Sequence, residues 1–117
     1  MRRVNEVMRE VLGTVIRDDL QDPRIGFVTV TAVDTSPDLR HAQVHVSVLG
    51  SERERQDTLA ALQSAHGVLQ GAVNAELRLK RTPALRFVYD DSAERAERIS
   101  RMLAEGEDPK AGEGGIQ

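Results

Sequence analysis

Two runs of β-branched residues with a two-residue period constrain this chain most. In residues 27–33, read Phe-Val-Thr-Val-Thr-Ala-Val, the alternation places Val28, Val30 and Ala32 on one face and Thr29 and Thr31 on the other. Downstream, Ala42, Val44, Val46 and Val48 alternate with Gln43, His45 and Ser47. The intervening Asp34-Thr35-Ser36-Pro37-Asp38 is a dense turn signal. Such strands have one apolar and one polar face, and the apolar face cannot be left in water. The rest of the chain must supply a second layer.

That layer reads as helical. Val4, Val7, Met8, Val11, Leu12, Val15, Ile16 and Leu20 follow the i, i+3, i+4, i+7 spacing of an amphipathic helix, which Asp22-Pro23 ends. Ser51 and Glu54 have the spacing of a capping box, and Leu59, Leu62 and Ala65 are expected to point inward from the helix they open. Gly67 interrupts this helix. Val68, Leu69, Ala72, Val73 and Leu77 continue a helical pattern beyond the break until Pro83 forbids more. Gly67 is expected either to supply backbone freedom or to let two segments approach closely, both of which a Cβ would spoil. Leu85, Phe87 and Tyr89 alternate as a third strand, and Asp91, Ser92 and Glu94 start a short last helix through Ala96, Ile99 and Leu103. The expected architecture is α+β in two layers, ordered α-β-β-α-kink-α-β with a short C-terminal helix. One face of a three-stranded sheet is covered by helices, and the other leaves the threonines, Gln43, His45, Ser47 and Arg86 toward water.

Composition decides between function classes. The 117 residues contain three aromatics (Phe27, Phe87, Tyr89) and no cysteine. That argues against an aromatic cofactor cage and removes disulfides, thiolate nucleophiles and zinc fingers. No apolar stretch approaches the roughly 18 residues of a membrane span, and the N-terminus is charged where a signal peptide would be apolar. A cytoplasmic protein without membrane contact is expected. Residues 105–117 carry Glu105, Glu107, Asp108 and Glu113 against Lys110, so the net charge of −3 lies in that tail. Positions 1–104 therefore balance, and the chain divides into a domain at 1–104 and an acidic, Gly-rich tail at 105–117 expected to be mobile.

Nothing in the sequence has the pattern of an active site. His41 and His45 stand four residues apart on one strand, about 13 Å, too far to share an ion, and they read as solvated strand residues. Asp18-Asp19 and Asp90-Asp91 fall at element boundaries, where such pairs cap helices or bound turns. No phosphate-cradling glycine motif and no nucleophile elbow is present. No catalytic residue, metal ligand, cofactor or small-molecule substrate is expected. The feature above background is residues 77–86, which hold Arg78, Lys80, Arg81 and Arg86 and no carboxylate. If the helix persists, Arg78 and Arg81 share a face, with Arg86 on the polar face of the next strand. Phosphates are the natural partner, and Arg40, in the turn before the second strand, is a weaker candidate. The plainer alternative is a last helical turn whose cations complement the helix dipole and cover apolar surface.

Three segments carry a resemblance. Residues 22–31 (Asp-Pro-Arg-Ile-Gly-Phe-Val-Thr-Val-Thr), residues 36–50 beginning Ser-Pro-Asp-Leu-Arg-His-Ala-Gln-Val, and residues 77–87 (Leu-Arg-Leu-Lys-Arg-Thr-Pro-Ala-Leu-Arg-Phe), followed by Tyr89-Asp90 and Ser92, resemble ribosome-binding factor A. With the first helix, the similarity spans roughly residues 2–103. The resemblance implies a single type II KH-like domain whose G-x-x-G loop is replaced by an interhelical kink, matched here by Ala65-His66-Gly67. It further implies a monomeric bacterial assembly factor that binds the immature small ribosomal subunit and its rRNA, promotes maturation of the rRNA 5′ end, supports growth in the cold and leaves before translation. Relatives often carry a basic C-terminal extension, whereas this tail is short and acidic, so no RNA contact is assigned to it. The competing expectation is a protein–protein interaction module without direct RNA binding, docking through a sheet edge or helix face.

Overall fold

The computed structural model describes residues 2–106. Its elements are α1 (Arg2–Asp18), β1 (Phe27–Thr35), β2 (His41–Leu49), α2 (Glu52–Ser64), α3 (His66–Leu77), β3 (Ala84–Tyr89) and α4 (Ser92–Ala104). The expected order is met element by element. The acidic tail and its expected mobility lie, from residue 107 onward, outside the described residues.

The strands form one sheet in the order β1-β2-β3. β1 runs antiparallel to β2, from Phe27 opposite Leu49 to Thr35 opposite Ala42. β3 runs parallel to β2, with Ala84 beside His41 and Arg86 beside Gln43. A parallel neighbour cannot be reached by a tight turn, so the α2–α3 pair serves as the crossover. α1, α2 and α3 cover one face. Their Met8, Leu12, Val15, Ile16, Leu62, Leu69 and Val73 join Val30, Val33, Ala42, Val44, Val46, Val48, Leu85 and Phe87 in a single apolar core. The capping box is formed, with Ser51 N donating to Glu54 Oε1 at 2.8 Å and Glu54 N donating to Ser51 Oγ at 3.2 Å. Thr58, the one buried polar residue of the described chain, bonds the loop after α1: its Oγ1 donates to the Arg24 carbonyl at 3.1 Å and accepts from Gly26 N at 3.4 Å.

Two sequence expectations need correction. In β1 the alternation does not run through. The register slips between Val30 and Ala32, so Thr31 is the extra residue of a β-bulge and Val33, not Ala32, enters the core. The Thr31 hydroxyl, on the open face, donates to Asp90 Oδ2 at 2.7 Å. The second correction concerns α4, which buries no residue: Ile99 is 49% and Leu103 58% exposed. The chain leaves the sheet at Asp90, whose carboxylate accepts from both the backbone and the hydroxyl of Ser92 and from Thr31. α4 is held at its first turn, where Tyr89 Oη donates to Glu94 and Arg55 Nη2 lies 3.7 Å from Glu94 Oε2. It is not part of the covering layer.

Candidate nucleic-acid interface

Because β2 and β3 run parallel, their starting ends lie side by side, and this brings the expected cations together. The carbonyl of Arg40, just before β2, accepts from Ala84 N at 2.8 Å, so Arg40 borders the loop 78–83 that leads into β3. Arg86 follows two residues later on the open face beside Gln43. Arg78, Lys80, Arg81, Arg86 and Arg40 are all exposed. Among the described residues, none of the first four forms an ion pair, while Arg40 Nε lies 3.9 Å from Asp38 Oδ2. The expected shared helical face does not exist. α3 ends at Leu77, and Arg78 takes the left-handed conformation (φ 53°, ψ 45°) while its N–H still reaches Asn74 O at 2.7 Å. The helix stops six residues before Pro83, so Arg78, Lys80 and Arg81 sit on a loop whose entry is a left-handed arginine, a conformation that favours glycine.

The interhelical break falls within the Ala65-His66-Gly67 segment, two residues before the Gly67 at which the sequence interrupts the helical pattern. Ala65 is the residue outside both helices (φ −89°, ψ 11°), and His66 and Gly67 already belong to the first turn of α3. A Cβ on Gly67 would meet nothing within 4 Å, and its φ is not left-handed. Neither backbone freedom nor close approach demands a glycine there. His66 is exposed, with Nδ1 2.8 Å from the Gln63 carbonyl.

Two glutamines, one on each side of the break, fasten the helices to β3 and to the end of the loop before it. Gln63 Nε2 donates to Leu85 O at 3.1 Å and its Oε1 accepts from Phe87 N at 3.4 Å, so one side chain occupies the outer edge of β3 as a neighbouring strand would. Gln70 Nε2 donates to Pro83 O at 2.8 Å. Periodicity cannot distinguish such glutamines from solvated ones, because Gln63 stands on an exposed helix position and Gln70 on a half-exposed one. Beside them lies an open depression of about 610 Å³ lined by His41, Gln43, Gln63 and Arg86. Arg86, the one arginine on its lining, can neutralise an anion held against backbone and amide groups there. Among the described residues no three His, Asp or Glu side chains converge as a metal site, and no helix is long and apolar enough to cross a membrane.

Fold and surface together define the class: an α+β domain of type II KH-like topology whose interhelical loop is reduced to a single-residue break. The profile of the family described as ribosome-binding factor A matches residues 1–103. The chain belongs to that family. A ribosome-binding factor A of Anaeromyxobacter dehalogenans strain 2CP-C is 52% identical over 114 residues, covering 93% of this chain and 83% of that protein. The solution structure of a Thermotoga maritima protein described as a putative ribosome binding factor A superposes with a TM-score of 0.70 at 33% identity, over 78% of this chain and 87% of that one. A homology model of the Thermus thermophilus factor, as fitted into the cryo-EM map of a complex with the 30S subunit, gives 0.63 at 30% identity over 75% and 92% of the two chains.

Proposed function

We propose that this chain is a non-catalytic, cofactor-independent ribosome assembly factor. In this reading it binds the immature small ribosomal subunit of the cytoplasm as a monomer and holds rRNA backbone phosphates with Arg78, Lys80, Arg81, Arg86 and, more weakly, Arg40. The break at Ala65, His66 and Gly67 faces the same RNA. The observation that carries the reading is Arg78: a cation kept in a left-handed position that glycine would fill with less strain, in a loop whose charges have no carboxylate partner among the described residues. A 30S complex of a relative with the same fold supports the choice of partner. Phe87 borders the depression but is only 7% exposed, and Tyr89 is half-buried, so among the described residues neither offers a free ring face for a base to stack on, and recognition rests on shape and charge rather than base identity. Its place in the cell is late subunit assembly and maturation of the rRNA 5′ end, including in the cold.

Sedimentation of tagged protein from growing cells tests the assignment. The factor should travel with free small subunits and their precursors, and cells lacking it should accumulate rRNA with an unprocessed 5′ end, most at low temperature. Recovery only at the top of the gradient would overturn the reading. Binding that ignores salt would favour a purely protein-mediated contact instead.

A further inference from the structure

The two edges of the sheet are finished differently. On β3 the Gln63 amide occupies the outer hydrogen-bonding groups of Leu85 and Phe87. On β1, among the described residues, no backbone or side-chain group bonds the outer edge of residues 27–30, and the first capped position is Thr35, whose N–H donates to Asn5 Oδ1 at 3.2 Å. The bulge at Thr31 ends the regular part of the strand, so the open stretch is those four residues. The same four line an open groove of about 950 Å³ whose opposite wall is α1, through Arg9, Gly13, Thr14 and Arg17. Phe27, on the groove, and its cross-strand partner Leu49 are 81% and 76% exposed, the most exposed large apolar side chains among the described residues.

We propose that residues 27–30 of β1 dock an extended polypeptide segment of another protein, which adds to the sheet as a fourth strand in the groove against α1. A free strand edge presents alternating N–H and C=O groups at about 3.3 Å per residue, a pattern that another peptide backbone matches and a row of phosphates, which only accept, does not. The groove's charge selects in the same direction. Arg9 Nη2 pairs with Glu6 at 3.1 Å and Arg17 Nε with Asp18 at 3.2 Å, while Glu10 adds a carboxylate. The potential that a nucleic acid needs belongs to the loop at 78–83, not to this groove. The partner segment is accordingly uncharged, with apolar side chains at every second position to cover Phe27. This site shares no residue with the proposed RNA contacts and stands or falls without them.

The test is a titration of the ¹⁵N-labelled full chain with a synthetic peptide, acetyl-Ser-Val-Thr-Val-Thr-Val-Ser-amide. Amide resonances of residues 27–30 and of α1 along the groove should shift, and N-methylation of alternate peptide amides, in one of the two registers, should abolish the shifts. Gly13→Gln fills the groove from the α1 side without a clash, since a Cβ there meets nothing within 4 Å. This variant should keep the parent spectrum outside the groove and bind the peptide at least tenfold more weakly. The proposal is overturned if millimolar peptide leaves residues 27–30 unmoved, if Gly13→Gln binds as the parent does, if oligouridylate shifts these amides and the peptide does not, or if they shift only through self-association of the chain.

Discussion

The guanidinium carbon of Arg55 lies 4.1 Å from the centre of the Tyr89 ring. Arg55 Nη1 also pairs with Glu52 at 2.7 Å, and the Tyr89 hydroxyl donates to Glu94, so one stacked cation ties α2, β3 and the first turn of α4 together. Arg55 is largely covered, and its attraction to the ring is therefore less screened than at an open surface. Arg55→Ala should destabilise the fold by about 1–2 kcal/mol and Tyr89→Phe by about 1 kcal/mol. Amide exchange across residues 92–104 should accelerate in both, and a denaturant melt with hydrogen exchange reads the two effects separately.

Arg78 separates folding from binding. Because its φ is 53°, Arg78→Gly removes the strain of a left-handed non-glycine residue and should raise stability by about 0.5–1 kcal/mol in thermal melts. The same change deletes one unpaired cation. Combined with Arg81→Gln it should weaken binding to ribosomal subunits and flatten the slope of log affinity against log salt by about one to two units. Unchanged affinity and slope in a folded double variant would remove the loop from the RNA contact.

At the interhelical break, open space around Gly67 predicts that Gly67→Ala is stabilising by about 0.5–1 kcal/mol, the ordinary gain for a helical site. Gly67→Val should remain within about 1 kcal/mol of the parent. If rRNA approaches this surface, the valine variant loses subunit affinity while its melting curve stays in place. A large fall in melting temperature for either variant would contradict the geometry.

Acid should loosen the departure of α4. Hydrogen bonds from Ser92 and Thr31 hold the Asp90 carboxyl down to about 2, and serine, arginine and backbone donors likewise lower Asp22, Asp38 and Glu54. A carboxylate whose native pKa is depressed contributes fully above its unfolded value near 4, and that contribution is lost as pH falls toward the native value. Stability should thus be flat above about pH 5 and decline between about 4 and 2. Asp90→Asn should be destabilising by about 1 kcal/mol at pH 7, with a shallower decline, as urea melts across the range would read.

The parts of this molecule legible in its sequence are those governed by period and by local chemistry. The apolar residues of β2, the core stripe of α1 and the Ser51–Glu54 box are each fixed within a few neighbours, and each reads directly. The bulge was legible in principle, since the step from Val30 to Val33 is three residues where strict alternation needs two or four. The end of α3 was not. Proline marks where a helix must have stopped, whereas Arg78 gives no sign of turning left-handed. The gathering of Arg40 with residues 78–86 depends on the direction of β3 relative to β2, a long-range property that no local pattern encodes. Gln63 and Gln70 were invisible for the same reason, as their partners belong to a strand and a loop many residues away.

The parallel pairing of β2 with β3 also sets an order of assembly. β1 and β2 are joined by a short turn and can pair as soon as residues 27–49 exist, but β3 must wait until the whole α2–α3 crossover has closed a long loop. The cationic surface is built from residues on both sides of that closure, Arg40 on one and the loop 78–83 with Arg86 on the other. A chain still emerging from synthesis, or one arrested before β3 docks, carries all five cations without the surface they form. On the reading proposed above, tight engagement would be reserved for the completed domain, and an unfinished copy would be a poor competitor for the same site.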